Sequence, residues 1–181
     1  MDEGAKKNIR SECIRLLRDV GCEEAVIEHC MAVAELALEI ALRHNHSEGH
    51  AHDSVDEKLV FKGALLHDIG RVCSHGLEHG FMGGEVARAL GLDEKVVRII
   101  QRHVGAGITV EEAKEVGLPP VAFMPETMEE KIVAHADNLI DGWRRTSIEY
   151  AIANLKEQLG EAHPSITRIT RLHEEVMGKC R

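Results

Sequence analysis

Four residues of this chain are of types that bind metals and fall where helical periodicity points into a core. They are His29, His67, His103 and Asp137. His29 lies off the charged stripe of a nearly all-apolar stretch, and His67 closes the run Gly63-Ala64-Leu65-Leu66. His103 falls seven residues after Val96 and three after Ile100, so it continues an inward face. Asp137 comes four residues after Val133 and three before Ile140, at the border of an apolar arc. A lone inward histidine is usually a satisfied core residue. A buried carboxylate without a partner is costly, however, and four helices directing such groups into one small core need a shared partner. A metal ion is that partner, because neutral imidazoles and carboxylates are its natural ligands.

The elements that would position these groups are helices. The periodicity predicts amphipathic helices over 6–20 and 23–43, the second with Glu24, Glu28, Glu35, Glu39 and Arg43 as a narrow polar stripe. Residues 44–53 read as a polar loop containing His44, His46, His50 and His52. Capping boxes are expected at Ser54–Glu57, Thr109–Glu112 and Thr127–Glu130, each opening a helix. Shorter helices are expected over 83–90 and after Asp93, and later ones over 148–159 and 165–177. Alternating β-branched runs, internal repeats and low-complexity tracts are absent from the sequence. The expectation is one all-α domain spanning 1–181, well within the size of a single core.

Composition removes several alternatives. The net charge is 22 − 31 = −9, so the surface as a whole repels nucleic acid. Aromatics make up 3%, which leaves Phe81, Phe123 and Trp143 as candidate ring contacts for a base and argues against a base-stacking platform. No stretch reads as a signal peptide or a membrane span. Five cysteines with no C-x-x-C pair read as free thiols, consistent with a reducing cytoplasm and with no thiolate zinc site.

At His67-Asp68-Ile69-Gly70-Arg71 the chain resembles the HD superfamily of metal-dependent phosphohydrolases, in its HDIG form. The resemblance covers roughly 25–145 and rests on the ordered set His29, His67-Asp68, His79, His103 and Asp137, with Ala64-Leu65-Leu66, His79-Gly80 and Ala136-Asp137 as flanks. It implies an all-α HD-domain helical bundle and a centre holding divalent metal. The minimal pattern is His29, His67, Asp68 and Asp137; the added His79 and His103 resemble the dinuclear branch, with iron or manganese, and cobalt or nickel as further options. In that branch Asp68 bridges two ions, His29, His67 and Asp137 complete one site, and His79 and His103 complete the other. Ions ~3.5–4 Å apart hold a bridging hydroxide and clamp phosphoryl oxygens. The implied activity is hydrolysis of a small nucleotide-like phosphate ester by that metal-activated hydroxide, with His67 and Asp68 at the catalytic centre.

Arg71, Arg144 and Arg145 are candidate substrate contacts. The last two lie two helical turns beyond Asp137 if that helix continues. Gly80, Gly83 and Gly84 either admit substrate or permit close helix packing. Lys131 is expected as an exposed partner of Glu130, while His135, His163 and His173 are expected on helix surfaces; His75 and Cys73 lie near the pocket in sequence. The partner expected is a small phosphorylated molecule (a nucleotide, dinucleotide or cyclic phosphate), without a membrane, and homo-oligomerisation is left open. The stretch from Pro125 to Val133 followed by Ala136-Asp137 is most similar to archaeal HDIG proteins. Branches that cleave diadenosine tetraphosphate or a pterin cyclic phosphate share the ligand order or the compact size. The alternative is a non-catalytic HD module that senses a nucleotide or docks a partner; an oxygenase is a weaker third option.

Overall fold

The computed structural model describes residues 1–46 and 54–178. The architecture is helical. α1 (Glu3–Asp19) is capped by Asp2, whose carboxylate accepts from the Ala5 amide at 2.8 Å. α2 (Glu24–His46) is the long central helix. It buries Ile27, Cys30, Val33, Ala34, Ala37, Ile40 and Ala41, and the glutamate stripe faces out. It runs three residues beyond its expected end, so His44 and His46 are helical rather than in a loop, and His44 is buried. Asn45 explains the extension: its amide exchanges hydrogen bonds with the Val55 backbone at 2.8 and 3.0 Å, tying the helix end to the start of the next. His50 and His52 lie outside the described residues.

α3 (Glu57–Leu66) is the middle of the bundle and packs on α1 and α2. The Ser54–Glu57 capping box does not form. Asp56 is the N-cap instead, accepting from the Lys58 and Leu59 amides at 3.0 and 3.1 Å, while Glu57 takes the Asn45 amide. A 3-10 turn (Ile69–Val72) follows, then α4 (His79–Ala89) and α5 (Glu94–Arg102). Glycines make these contacts close. A Cβ on Gly63 would stand 2.6 Å from Ile99, and one on Gly83 or Gly84 would strike Ile100 or Gln101. The glycines of α4 therefore serve helix packing, not substrate access.

α6 (Val110–Glu115) and α7 (Met128–Asn138) open with the two expected capping boxes, both reciprocal. α7 packs on α2, α3 and α5. It ends at Asn138, so Arg144 and Arg145 do not continue it. The chain turns instead through Gly142, at φ +60°, into a two-residue antiparallel pair, β1 (Ile140–Asp141) with β2 (Arg144–Arg145). α8 (Ile148–Leu159) and α9 (Pro164–Met177) cover one end of the bundle, α9 lying on α7. That contact buries His135 against His173 with ring centroids 5.0 Å apart, so His135 is a core residue and not a surface one. Lys131 pairs with Glu175 of α9 at 2.9 Å rather than with Glu130.

Candidate metal centre

The six side chains of the ordered set meet at one point of the bundle. His67 and His103 are the residues that end α3 and α5, and His79 is the first residue of α4. Helix ends leave carbonyls without intrahelical partners. His67 and His103 use this: each Nδ1 lies 2.7 Å from the carbonyl three residues back, Ala64 O and Ile100 O. His79 Nδ1 does the same with Gly76 O at 2.6 Å. His29, in the second turn of α2, reaches across the fold to Gly142 O at 2.7 Å. A carbonyl only accepts, so Nδ1 carries the proton in all four rings. In the neutral imidazoles each Nε2 then presents a lone pair to the centre. Such backbone partners fix both tautomer and ring orientation of metal-binding histidines.

Asp68 sits between them, at φ −97° and ψ 15°, in the sparsely populated bridge region between α3 and the 3-10 turn. Its two oxygens divide the histidines. Oδ2 faces His29 Nε2 at 3.9 Å and His67 Nε2 at 3.8 Å. Oδ1 faces His79 Nε2 at 3.1 Å and His103 Nε2 at 3.5 Å. Asp137 Oδ1 joins the first pair, 2.9 Å from His29 Nε2 and 3.4 Å from His67 Nε2.

Two observations test whether a metal suits these residues. His67 Nε2 is buried with no hydrogen-bond partner among the described residues. His79 Nε2 and His103 Nε2 stand 2.9 Å apart, where two lone pairs repel unless a cation lies against both. Two nitrogens each ~2.1 Å from one ion and at about a right angle would be separated by about 3 Å. Among the described residues, three overlapping sets have ligand atoms within 4.8 Å of one another: His29-His67-Asp68, His67-His103-Asp137 and Asp68-His79-His103. The residues present suit divalent metal.

The electrostatics agree. Burial opposes charge on Asp68, but His67, His103 and His79 outweigh it and hold the carboxyl well below the usual range. Burial likewise opposes Asp137, and His67 and His29 hold it low. Burial disfavours a cationic His67, yet Cys30, Asp68 and Asp137 raise its proton affinity well above the ordinary value. Burial lowers that of His103. Two ionised carboxylates among four imidazoles make a donor set of the kind that holds a divalent cation.

A cavity of about 360 Å³ opens on this centre, lined by Arg71, His75, Gly76, Leu77, His79, His103, Val104, Gly105 and Asp137. Arg71 is where the sequence suggested. Its Nε donates to Asp68 Oδ1 at 3.1 Å and its Nη1 to His75 O at 2.8 Å. Arg144 and Arg145 are elsewhere. Arg145 pairs with Glu39 at 2.9 Å, and Arg144 lies over the exposed Trp143 ring at 5.0 Å. The end of α7 at Asn138 removed them from the pocket. Phe81 and Phe123 stack edge-on at 5.9 Å in a small cluster with Ile108 and Leu118, and neither lines the cavity.

Two features of the site escaped sequence reading. One is the Gly142 carbonyl, whose partner His29 is distant in sequence. The only local hint was a glycine shortly after the expected helix. The other is the clamp behind His103, where Arg102 Nη1 donates to buried Glu130 at 2.9 Å. The capping box at Thr127 flagged Glu130 but not its ion pair.

The family model described as HD domain matches residues 26–140. An uncharacterized protein of Methanocaldococcus jannaschii, MJ0778, is 54% identical over 86% of this chain and 89% of its own length. A protein of Thermoplasma volcanium named tRNA (cytidine(56)-2'-O)-methyltransferase is 40% identical over 92% of this chain, which spans only 47% of that relative. Among solved structures, the HD domain of the Listeria monocytogenes phosphodiesterase PgpH aligns over 86% of this chain and 91% of its own, with a TM-score of 0.50 and 18% identity, a likeness of fold. This chain belongs to the HD-domain family.

Proposed function

We propose that the protein is a metal-dependent phosphohydrolase, a phosphodiesterase or phosphatase, acting on a small nucleotide-like phosphate ester. The observation that carries this reading is the division of Asp68: one oxygen faces His29 and His67, the other faces His79 and His103. That arrangement supports two ions, with Asp68 between them, Asp137 on the first and iron or manganese as the metals. Bound divalent metal would supply Lewis acidity toward phosphoryl oxygens and activate water for attack on phosphorus.

The chain's own residues do the rest. The four Nδ1 hydrogen bonds fix the ring orientations and aim each Nε2 at the centre, so the ligand set needs little reorganisation when metal enters. Arg71 is anchored through Nε and Nη1 at the cavity wall, which supports it as the cation that would hold a phosphate oxygen. With few rings at the cavity, phosphate rather than base would provide most of the grip. The complex of the PgpH HD domain with cyclic-di-AMP supports a nucleotide as the substrate class.

A second reading has one observation behind it. The relatives named as tRNA methyltransferases carry a matching segment in about half their length. This supports an HD module that docks to, or senses a nucleotide for, an RNA-modifying partner without catalysis of its own. Hydrolysis of bis-p-nitrophenyl phosphate separates the two. After reconstitution with Mn²⁺ or Fe²⁺ the protein turns over, and His67→Ala abolishes turnover while the helical circular dichroism persists. A metal-loaded protein without turnover on this or a nucleotide panel overturns the hydrolase and favours the docking module.

A further inference from the structure

The cavity over the metal centre is lined by one polar side chain that neither the centre nor a neighbour engages among the described residues. It is His75, in the loop between the 3-10 turn and α4. The backbone of this loop is pinned on both sides of it. Arg71 Nη1 donates to His75 O at 2.8 Å, and the Ser74 amide donates to Gly70 O at 3.2 Å. The Gly76 amide donates to Ser74 Oγ at 3.0 Å, and that hydroxyl donates to Glu78 Oε1 at 2.6 Å. Gly76 O accepts from the His79 amide at 3.2 Å and from His79 Nδ1 at 2.6 Å. The His75 ring itself is exposed at the cavity wall and makes no hydrogen bond, ion pair or ring contact among the described residues. A held backbone has met its ordering cost before any ligand arrives, while its ring stays free to act.

A phosphate ester makes two demands on such a cavity: attack on phosphorus, and a proton for the oxygen that departs. An alkoxide leaves poorly unless it is protonated as its bond to phosphorus breaks. The other polar side chains of the cavity do not suit that task. Arg71 does not release a proton near neutral pH. His79 and His103 have Nδ1 on backbone carbonyls and Nε2 turned to the centre. Asp137 faces His29 and His67 as an acceptor. Gly76, Leu77, Val104 and Gly105 have no side-chain donor. An imidazole both holds and releases a proton near neutral pH.

We propose that His75 is the proton donor to the leaving oxygen, a role that rests on the phosphohydrolase reading of the site. The oxygen of a water molecule forms the new bond to phosphorus, and that water loses one proton to solvent. The P–O bond to the leaving group breaks, and its electron pair stays on the leaving oxygen. That oxygen takes the imidazolium proton of His75, and solvent returns a proton to the ring. In sum, ester plus water gives an alcohol and a phosphate with one ester bond fewer.

The test compares bis-p-nitrophenyl phosphate with diphenyl phosphate on the full, metal-loaded chain. Nitrophenolate leaves readily without a proton, whereas phenolate gains from one. His75→Ala is expected to lower kcat/KM on diphenyl phosphate about a hundredfold, at least about tenfold more than on the nitrophenyl ester. Its metal content and helical circular dichroism should match the wild type, since the main-chain carbonyl that Arg71 uses is retained. In the wild type the rate on diphenyl phosphate relative to the nitrophenyl ester falls as pH rises and the donor loses its proton; in His75→Ala this ratio is flat. His75→Gln hydrogen-bonds but does not titrate, and stays as slow as His75→Ala. Equal losses on the two esters, a wild-type ratio independent of pH, recovery in His75→Gln or a fall in metal content overturns the proton donor and leaves the hydrolase standing. A wild type that cleaves only the nitrophenyl ester overturns the donor as well. A metal-loaded wild type without turnover overturns the hydrolase reading, and the donor with it.

Discussion

Replacing Glu130 by alanine removes a carboxylate that ties two ligand-bearing helices together. Glu130 is 3% exposed. Its Oε2 accepts from Arg102 Nη1 at 2.9 Å, from the Glu126 amide at 2.7 Å and, more weakly, from the Thr127 amide at 3.4 Å. Arg102 directly precedes His103, and α7 begins at this cap and ends beside Asp137. Losing the capping interactions costs about 1 kcal/mol. Leaving a fully buried partner uncompensated costs ~3–5 kcal/mol. Arg102 keeps some solvent and retains Glu126 at 2.8 Å, so about 2 kcal/mol is the better figure here. The sum is about 3 kcal/mol, a fall in Tm of roughly 6–12 °C for a chain of this size. Glu130→Gln keeps an acceptor for the amides and loses only the charge, so its loss should be about half as large. Thermal and urea denaturation of the metal-free protein at neutral pH measure both. A Glu130→Ala loss below about 1 kcal/mol would refute the clamp.

A Cβ on Gly70 would stand 2.0 Å from the His79 carbonyl and 2.6 Å from the Gly83 amide, both backbone atoms. Gly70→Ala should therefore displace α4, cost at least about 3 kcal/mol and halve metal content; a normally stable, fully loaded variant would contradict this. Burial pushes the Cys13 and Cys22 thiols up to about 12, whereas Cys73 is exposed. Mapped alkylation of the native protein near neutral pH should modify Cys73 well before either, and equal rates would count against the packing. Metal loading should fall with acid. The carboxylates of Asp68 and Asp137 are held well below the usual carboxylate range, so between pH 7 and 5 the competing protons go to imidazoles, His67 first because its proton affinity is raised. Apparent metal affinity should drop about tenfold per pH unit for each proton displaced. Affinity that stays flat from pH 7 to 5 would exclude the imidazole set.

Much of the helical layout could be read from the chain because its signals are local. The capping boxes at Thr109 and Thr127 depend only on neighbours, and both formed. Convergence of His29, His67, His103 and Asp137 was legible because each departs from an apolar face. The failures are non-local. Ser54 lost its box because Asn45, on another helix, engaged Glu57. Arg144 and Arg145 left the pocket because Gly142 allows a turn that helical periodicity does not foresee. His135 looked like a surface residue because the helix that covers it, α9, follows much later. The division of Asp68 between the two histidine pairs came from the family resemblance and not from spacing, since it depends on a bridge-region backbone that periodicity does not describe.

Metal counting tests the central claim most directly. The fully loaded wild-type chain, measured by inductively coupled plasma mass spectrometry after desalting, should hold two ions. His79→Ala and His103→Ala should reduce this toward one by emptying the side served by Asp68 Oδ1, and Asp68→Ala should take it below one. A single ion in the fully loaded wild type, or wild-type content in His79→Ala, would contradict a centre divided by Asp68.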